Sequence, residues 1–366
     1  MGDLPHSSTE QSGELPVAYR TAIPPVAFAG VVALTILLSL VAFFAFVWSV
    51  SPDRATFTWH YILERLFTLT GWQPVTYFEL LGAVLIVEAL LLGWSRSSIR
   101  LILRGSRSAR TDLVVAGLHA VGWSALLMTA FTGGALWLLQ DFTVPFQKWR
   151  LAEWITPTWV QVLVVFLFID FLDYWTHRIM HEIAFLWEAH KYHHAATEFT
   201  ILTGNRIHAL EEAFRSIVTL IPMAAIGTPA SMYFGVRYSI NIIDMIQHSM
   251  LAWDYGWFGR WVAYSPIGHR IHHSPLQEHW DTNYGNILVI WDRLFGTWYG
   301  GAAVNETVDV SDNPYNRRSV AVEYMLCGGW FGQSFVRSLR TWTWRTEYQR
   351  MLRSRRRKAP ADGAAA

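Results

Sequence analysis

Residues 26–48 form an unbroken run of 23 uncharged, mostly apolar residues. Wound into a helix at about 1.5 Å per residue, such a run covers the roughly 30 Å hydrocarbon core of a bilayer. A helix pairs its own backbone groups, so a lipid-spanning segment this apolar has essentially no other choice of structure. Further segments follow the same pattern. Residues 80–94 carry Glu88 as their only charge, Leu113 to Leu139 carry none, and Thr158 to Ile169 lead directly into Asp170 and Asp173. The last of these reads as a helix whose far end emerges into polar surroundings.

Composition agrees. Hydrophobic residues make up 52% of the chain and charged residues 16%, and the mean hydropathy is positive, a balance typical of membrane proteins. Lys and Arg number 29 against 28 Asp and Glu, which gives no reason to expect nucleic acid as a partner. Cys327 is the only cysteine, so a disulfide framework and a multi-thiolate zinc site are both excluded. Residues 1–25 lack a basic stretch leading into an apolar core and read as a polar tail rather than a signal peptide.

Arg96, Arg100, Arg104, Arg107 and Arg110 separate the second and third apolar segments. The positive-inside rule places them in the cytoplasm, which brings the fourth helix out on the cytoplasmic face at residues 170–181. The basic tail, Arg353, Arg355, Arg356, Arg357 and Lys358, shares that side if residues 214–248, interrupted by Pro222, Gly227, Pro229 and Arg237, form a re-entrant hairpin. The expected fold is all-α: an integral membrane bundle of about four transmembrane helices plus that hairpin, bearing a cytoplasmic, histidine-rich helical cap. Its organisation is a tail (1–25), a membrane anchor (26–157), a catalytic domain (158–300) and a cytoplasmic C-terminal region with the basic tail (301–366). Glu88 has no evident partner.

Eleven of the 14 histidines fall between His177 and His279. Their offsets are ordered: His177 and His181 stand four apart, His190, His193 and His194 follow at three and four, and His269, His272 and His273 repeat that pattern. Residues three or four apart share a helix face, so each group can aim imidazoles at a common point. Neutral imidazole suits first-row transition metals, and eight exceed what one ion accepts, so two ions are expected. His208, His248 and His279 are additional candidates. Metal-bound imidazoles usually give their second nitrogen an acceptor. Asp170 and Asp173 lie on one helical stripe with His177 and His181 and are expected in that role, with Glu182, Glu188, Glu211 and Asp281 as further candidates.

The order HxxxH, HxxHH, HxxHH resembles the eight-histidine signature of the fatty acid hydroxylase and sterol desaturase superfamily of membrane di-iron enzymes. Asn283, Tyr284 and Gly285, then Trp291 to Thr297 (WDRLFGT), are similar to that family's closing motifs. The resemblance covers about residues 170–299. It implies two iron ions held by His177, His181, His190, His193, His194, His269, His272 and His273; His248 and His208 stay candidate ligands beside them, and Asp170, Asp173 and Asn283 are the candidate catalytic-site residues. It further implies dioxygen as co-substrate and a lipid that is hydroxylated or desaturated at the cytoplasmic membrane face. Electrons must come from outside, since the chain has no GxGxxG fingerprint, cysteine-rich cluster site or haem domain. A separate ferredoxin, cytochrome or reductase is therefore expected, and the oligomeric state is left open. The WDRLFGT segment reads as a turn closing the site. The rivals are a zinc hydrolase, for which HExxH is missing after His181-Glu182, and a membrane metal carrier, which would place its histidines inside the spans.

Overall fold

The computed structural model describes residues 72–120, 154–155, 157–300, 307–311 and 313–346. The expected first span, most of the third, the polar tail and the basic tail lie outside them. Among the described residues the chain is helical with no strand, only two isolated bridges pairing Ile183 with Arg345 and Ala263 with Leu288.

Eleven α-helices lie among the described residues. They are α1 (Trp72–Leu92), α2 (Ser98–Arg104), α3 (Arg107–Ala120), α4 (Thr158–Glu182), α5 (Ala184–His194), α6 (Ala209–Ala225), α7 (Ala230–Gln247), α8 (Gly256–Trp261), α9 (Pro266–His272), α10 (Ile290–Phe295) and α11 (Val320–Thr341). The arginine-rich connection expected between spans is thus largely helical. Glu88 acquires the partner it lacked: its carboxylate accepts from the Ser98 backbone N–H at 2.8 Å and the Ser98 hydroxyl at 2.6 Å. It thereby satisfies a first-turn donor of α2.

Among the described residues, α4 alone is long and apolar enough to cross a membrane. Its first half exposes Trp159, Val162, Leu163, Val164 and Leu167, and its second half buries Ile169, Asp170, Asp173, Tyr174, Thr176 and His181. One helix therefore passes from an apolar exterior into the packed part of the protein. It stops at Ile183, which turns extended and pairs with the 344–346 segment through Ala184 N–H to Trp344 O (2.8 Å). The break re-aims the chain so that α5 starts along a new axis.

Residues 214–248 form two helices, α6 and α7. Gly227 makes their turn with φ +74°, a left-handed conformation glycine adopts at no steric cost, and Pro229 caps α7. Both helices pack on α4, where Val165, Ile169, Met223, Tyr233, Val236, Ile240 and Ile287 form one core. A second core of Val115, Tyr192, Ala195, Tyr315, Leu326, Cys327 and Trp330 joins α3, α5 and α11. At its edge Arg206, fully buried, donates to Asp112 (3.3 Å), Ser108 (3.2 Å), Asn316 (3.0 Å) and the Tyr192 carbonyl (2.8 Å). This cation ties segments more than 90 positions apart to the helix bearing His190, His193 and His194.

Candidate metal centre

Nine histidines converge from four helices. His177, His181, His190, His194 and His272 form one set and His193, His248, His269 and His273 a second, with the ligand atoms of each set within 4.8 Å of one another. The division follows from helix geometry. Positions i+3 and i+4 lie about 100° apart around the axis, so on α5 the i,i+4 pair His190 and His194 faces the first set while His193 faces the second. On α9 the i,i+4 pair His269 and His273 enters the second set and His272 the first. Each HxxHH motif therefore serves both sets. The sets adjoin, with the His194 and His273 rings stacked at 4.1 Å.

The interatomic distances fit metal ligation. Nε2 atoms approach at 3.1 Å (His181–His194), 3.2 Å (His194–His190), 3.3 Å (His248–His193) and 3.0 Å (His269–His248). With metal–nitrogen bonds of about 2.0–2.1 Å, neighbouring ligands sit about 3.0 Å apart at right angles and about 3.4 Å apart in a tetrahedron. Nδ1 of His177, His248 and His272 faces the carbonyls of Tyr284 (2.9 Å), Asp244 (2.8 Å) and Thr282 (2.7 Å). A carbonyl only accepts, so Nδ1 carries the proton in each ring and Nε2 presents its lone pair to the cluster. Nε2 of His177 and of His272, and both ring nitrogens of His273, are buried without a hydrogen-bond partner. Lone pairs converging in a dry site are costly unless a cation lies between them. Burial holds His190, His193, His194, His269, His272 and His273 well below the ordinary histidine range, and neighbouring imidazoles add to the effect. Neutral rings are the ligating form.

Of the carboxylates expected behind the rings, Glu211 and Asp281 take that place and Asp170 and Asp173 do not. Glu211, not an aspartate of α4, meets His190 Nδ1 at 2.9 Å, and Asp281 stands 3.5 Å from His181 Nδ1. Asp170 accepts instead from Ile287 N–H (2.9 Å), Leu288 N–H (3.2 Å) and the Trp291 indole (2.8 Å), pinning α4 to the segment before α10. Asp173 forms a two-pronged pair with Arg237 of α7 at 2.5 and 2.9 Å. Both aspartates therefore hold helices together, because their oxygens are taken up by α7 and the 287–291 segment. Glu182 pairs with Arg178 and Arg345, and Glu188 with Lys191. Asn283 is likewise a brace: at φ +58° it accepts from Tyr299 N–H (2.8 Å) and donates to the Gly268 carbonyl (3.2 Å).

His208 joins neither set. Its Nε2 meets the Tyr324 carbonyl at 3.1 Å and its Nδ1 accepts from Leu210 N–H at 3.2 Å, so both nitrogens are used in seating α6 on α11. His279 packs its ring on Tyr299 at 4.7 Å, and His119 approaches the Ile207 carbonyl at 3.3 Å. Two neighbours of the cluster had no signal in the sequence. Phe199, fully buried, covers His248 and His273 at ring separations of 5.1 and 4.9 Å, and Trp187 covers His181 at 4.8 Å.

The closing motifs form a scaffold for one ligand. Asp292 accepts from the Tyr284 N–H (2.8 Å), the Gly285 N–H (2.6 Å) and the Thr297 hydroxyl (2.6 Å), which fixes the Tyr284 carbonyl against His177. A Cβ at Gly285 would lie 2.6 Å from both Tyr264 and the Leu288 carbonyl, so no larger residue fits.

Two cavities reach the histidines. One, of about 370 Å³, lies between α4, α6 and α7 and touches both sets, through His177 and His190 of the first and His193, His248 and His269 of the second. The other, of about 350 Å³, lies between α5 and α11 and meets only His181, His194 and His272 of the first.

Fold and site together define a helical protein with a buried nest of imidazoles in two adjoining sets, each of a kind that could hold a metal ion. Residues 162–297 match the family model described as fatty acid hydroxylase. Over those residues the chain is similar to the fatty acid hydroxylase family. An alkylglycerol monooxygenase of Caenorhabditis elegans is 32% identical over 168 residues, covering 45% of this chain and 32% of the relative. The ornithine lipid hydroxylase OlsE of Rhizobium tropici is 29% identical, covering 39% and 43%, and methylsterol monooxygenase 2-1 of Arabidopsis thaliana 29%, covering 43% and 60%. The chain spans between about a third and under half of the length of the alkylglycerol monooxygenases it matches. No solved structure matches it significantly.

Proposed function

We propose that this protein is a membrane di-iron oxygenase that hydroxylates a lipid. The observation that carries the reading is the division of nine buried imidazoles into adjoining sets of five and four, a nitrogen-rich donor set suited to first-row transition metals. In this proposal the first set and the second set each hold one iron. Bound iron would supply dioxygen reduction and C–H oxidation, chemistry no side chain performs alone. Hydroxylation overall consumes one O2, two electrons and two protons and yields the alcohol and water, so an external electron donor is required. The chain's own part is to keep the rings neutral and oriented through the Tyr284, Asp244 and Thr282 carbonyls and Glu211, and to exclude water with Phe199 and Trp187. The relatives named for alkylglycerols, ornithine lipids and methylsterols support a lipid substrate. The exposed apolar half of α4 supports a site at the membrane surface, and we place it on the cytoplasmic face of a multi-pass protein by the arginine distribution.

Metal analysis of the purified chain, with mass spectrometry of lipids from cells with and without it, tests this. Two irons per chain and a lipid gaining one oxygen are expected. Zinc at one ion per chain with no oxidised lipid would favour a hydrolase or metal carrier.

A further inference from the structure

The cavity between α4, α6 and α7 meets both histidine sets, whereas the cavity beside α11 meets only one. Of these two cavities, the former is the one that gives a substrate bond access to both sets. Its walls carry apolar residues, Met180, Ile207, Tyr233 and Met245 among them, but polar groups are interspersed as they are not in an acyl-chain tunnel. Ser216 and Glu212 from α6, Asn241 and Asp244 from α7, and Asn286 from the segment before α10 all face it. Pressing methylenes against such groups would strip their water without replacing it, which is unfavourable for each group left unsatisfied. A polar head would instead exchange water for direct hydrogen bonds. The charge balance narrows the head further. The two arginines in the wall already face carboxylates, Arg237 on Asp173 and Arg215 on Glu211 at 3.5 Å, and Glu212 and Asp244 add two more carboxylates. That surface suits hydroxyl or ammonium donors and disfavours a phosphate.

Size points the same way. About 370 Å³ holds roughly a dozen water-sized groups, enough for a small head and the first few carbons behind it but short of a full lipid. Apolar surface for the remainder lies outside, where Ile217, Phe234, Tyr238 and Ile243 of α6 and α7 are exposed. Phe234 stands at the junction, lining the cavity while 59% exposed.

We infer that the lipid enters head first, that its head carries hydroxyl or amine donors rather than phosphate, and that the bond oxidised lies within a few carbons of that head. This rests on the lipid-hydroxylase reading above. The test is photo-crosslinking of the full chain as purified in its membrane with two 1-O-hexadecylglycerol probes. One carries a diazirine two carbons from the ether oxygen, the other at the chain end. The head-proximal probe should label residues 212–219 and 241–248, Ser216→Leu and Asn241→Leu should each cut that labelling at least fivefold, and hexadecyl phosphate should compete at least tenfold less well than hexadecylglycerol. Cavity labelling by the chain-end probe, labelling by neither probe, or equal competition by the phosphate would overturn the inference. Iron content and oxidised lipid are measured on the same preparation. Correct labelling without iron or product would leave the entry mode standing and remove the enzyme reading, and iron with product but tail-end labelling would do the reverse.

Discussion

Glu211→Gln separates the two proposed ions. The carboxylate is fully buried and lies 2.9 Å from His190 Nδ1, and His190 belongs only to the five-histidine set. Glutamine keeps the length and an acceptor oxygen, so the packing of α6 is preserved, but it cannot take up the negative charge that a metal-bound His190 would favour on a carboxyl that burial raises to about 8. Replacing such an outer partner typically costs 10–100-fold in metal affinity, or about 1.4–2.7 kcal/mol at roughly 1.4 kcal/mol per tenfold. Arg215 also loses a partner, but at 3.5 Å and 29% side-chain exposure that loss is mostly screened. The assay is iron release to a competing chelator, followed by mass spectrometry of the metal bound per chain. One of two irons should leave at a 10–100-fold lower chelator concentration while the other keeps its wild-type behaviour. Unchanged retention of both, or equal loss of both with an unaltered thermal midpoint, would refute the assignment of His190 to one set.

Asp112→Asn breaks an ion pair whose two side chains are fully buried. Removing one partner of such a pair costs about 3–5 kcal/mol, or roughly 4–7 °C in unfolding midpoint for a chain of 366 residues, read at fixed scan rate because large proteins commonly unfold irreversibly; a shift below about 2 °C would count against the cross-brace. His208→Gln should retain both irons. Burial pushes His208 down to about 3, so below the ordinary value near 6.5 the unfolded chain binds the proton more readily. His208 therefore has no effect above that pH and costs about 2 kcal/mol of stability at pH 5. The variant should flatten the acid limb of a midpoint-against-pH curve, and an unchanged slope would contradict this. Gly204→Ala would place a Cβ 2.3 Å from Asp244 Oδ2 and 3.1 Å from His248 Nδ1. It should lower iron at the four-histidine set while sparing the other, a selectivity visible in the same chelator titration.

Local periodicity made the histidine groups legible, because offsets of three and four have one geometric meaning on a helix. Which ring serves which set was not legible, since that depends on how α4, α5, α7 and α9 cross. The same limit explains the carboxylates. Asp170 and Asp173 share a stripe with His177 and His181, but their oxygens answer to groups more than 60 positions away, Arg237 among them. Arg237 looked like a flaw in a hairpin because its partner sits on another helix. His208 resembled a ligand by composition and is held by Tyr324, 116 positions along the chain. Glu88 needed a partner only ten residues on, and the serine that begins α2 was visible in the sequence.

The most direct measurement is the iron-to-chain ratio of the purified protein beside two single variants, His181→Ala from the first set and His248→Ala from the second. Two irons in the wild type and about one in each variant are expected. A single iron in the wild type, or two retained in His248→Ala, would contradict a centre built from five and four imidazoles.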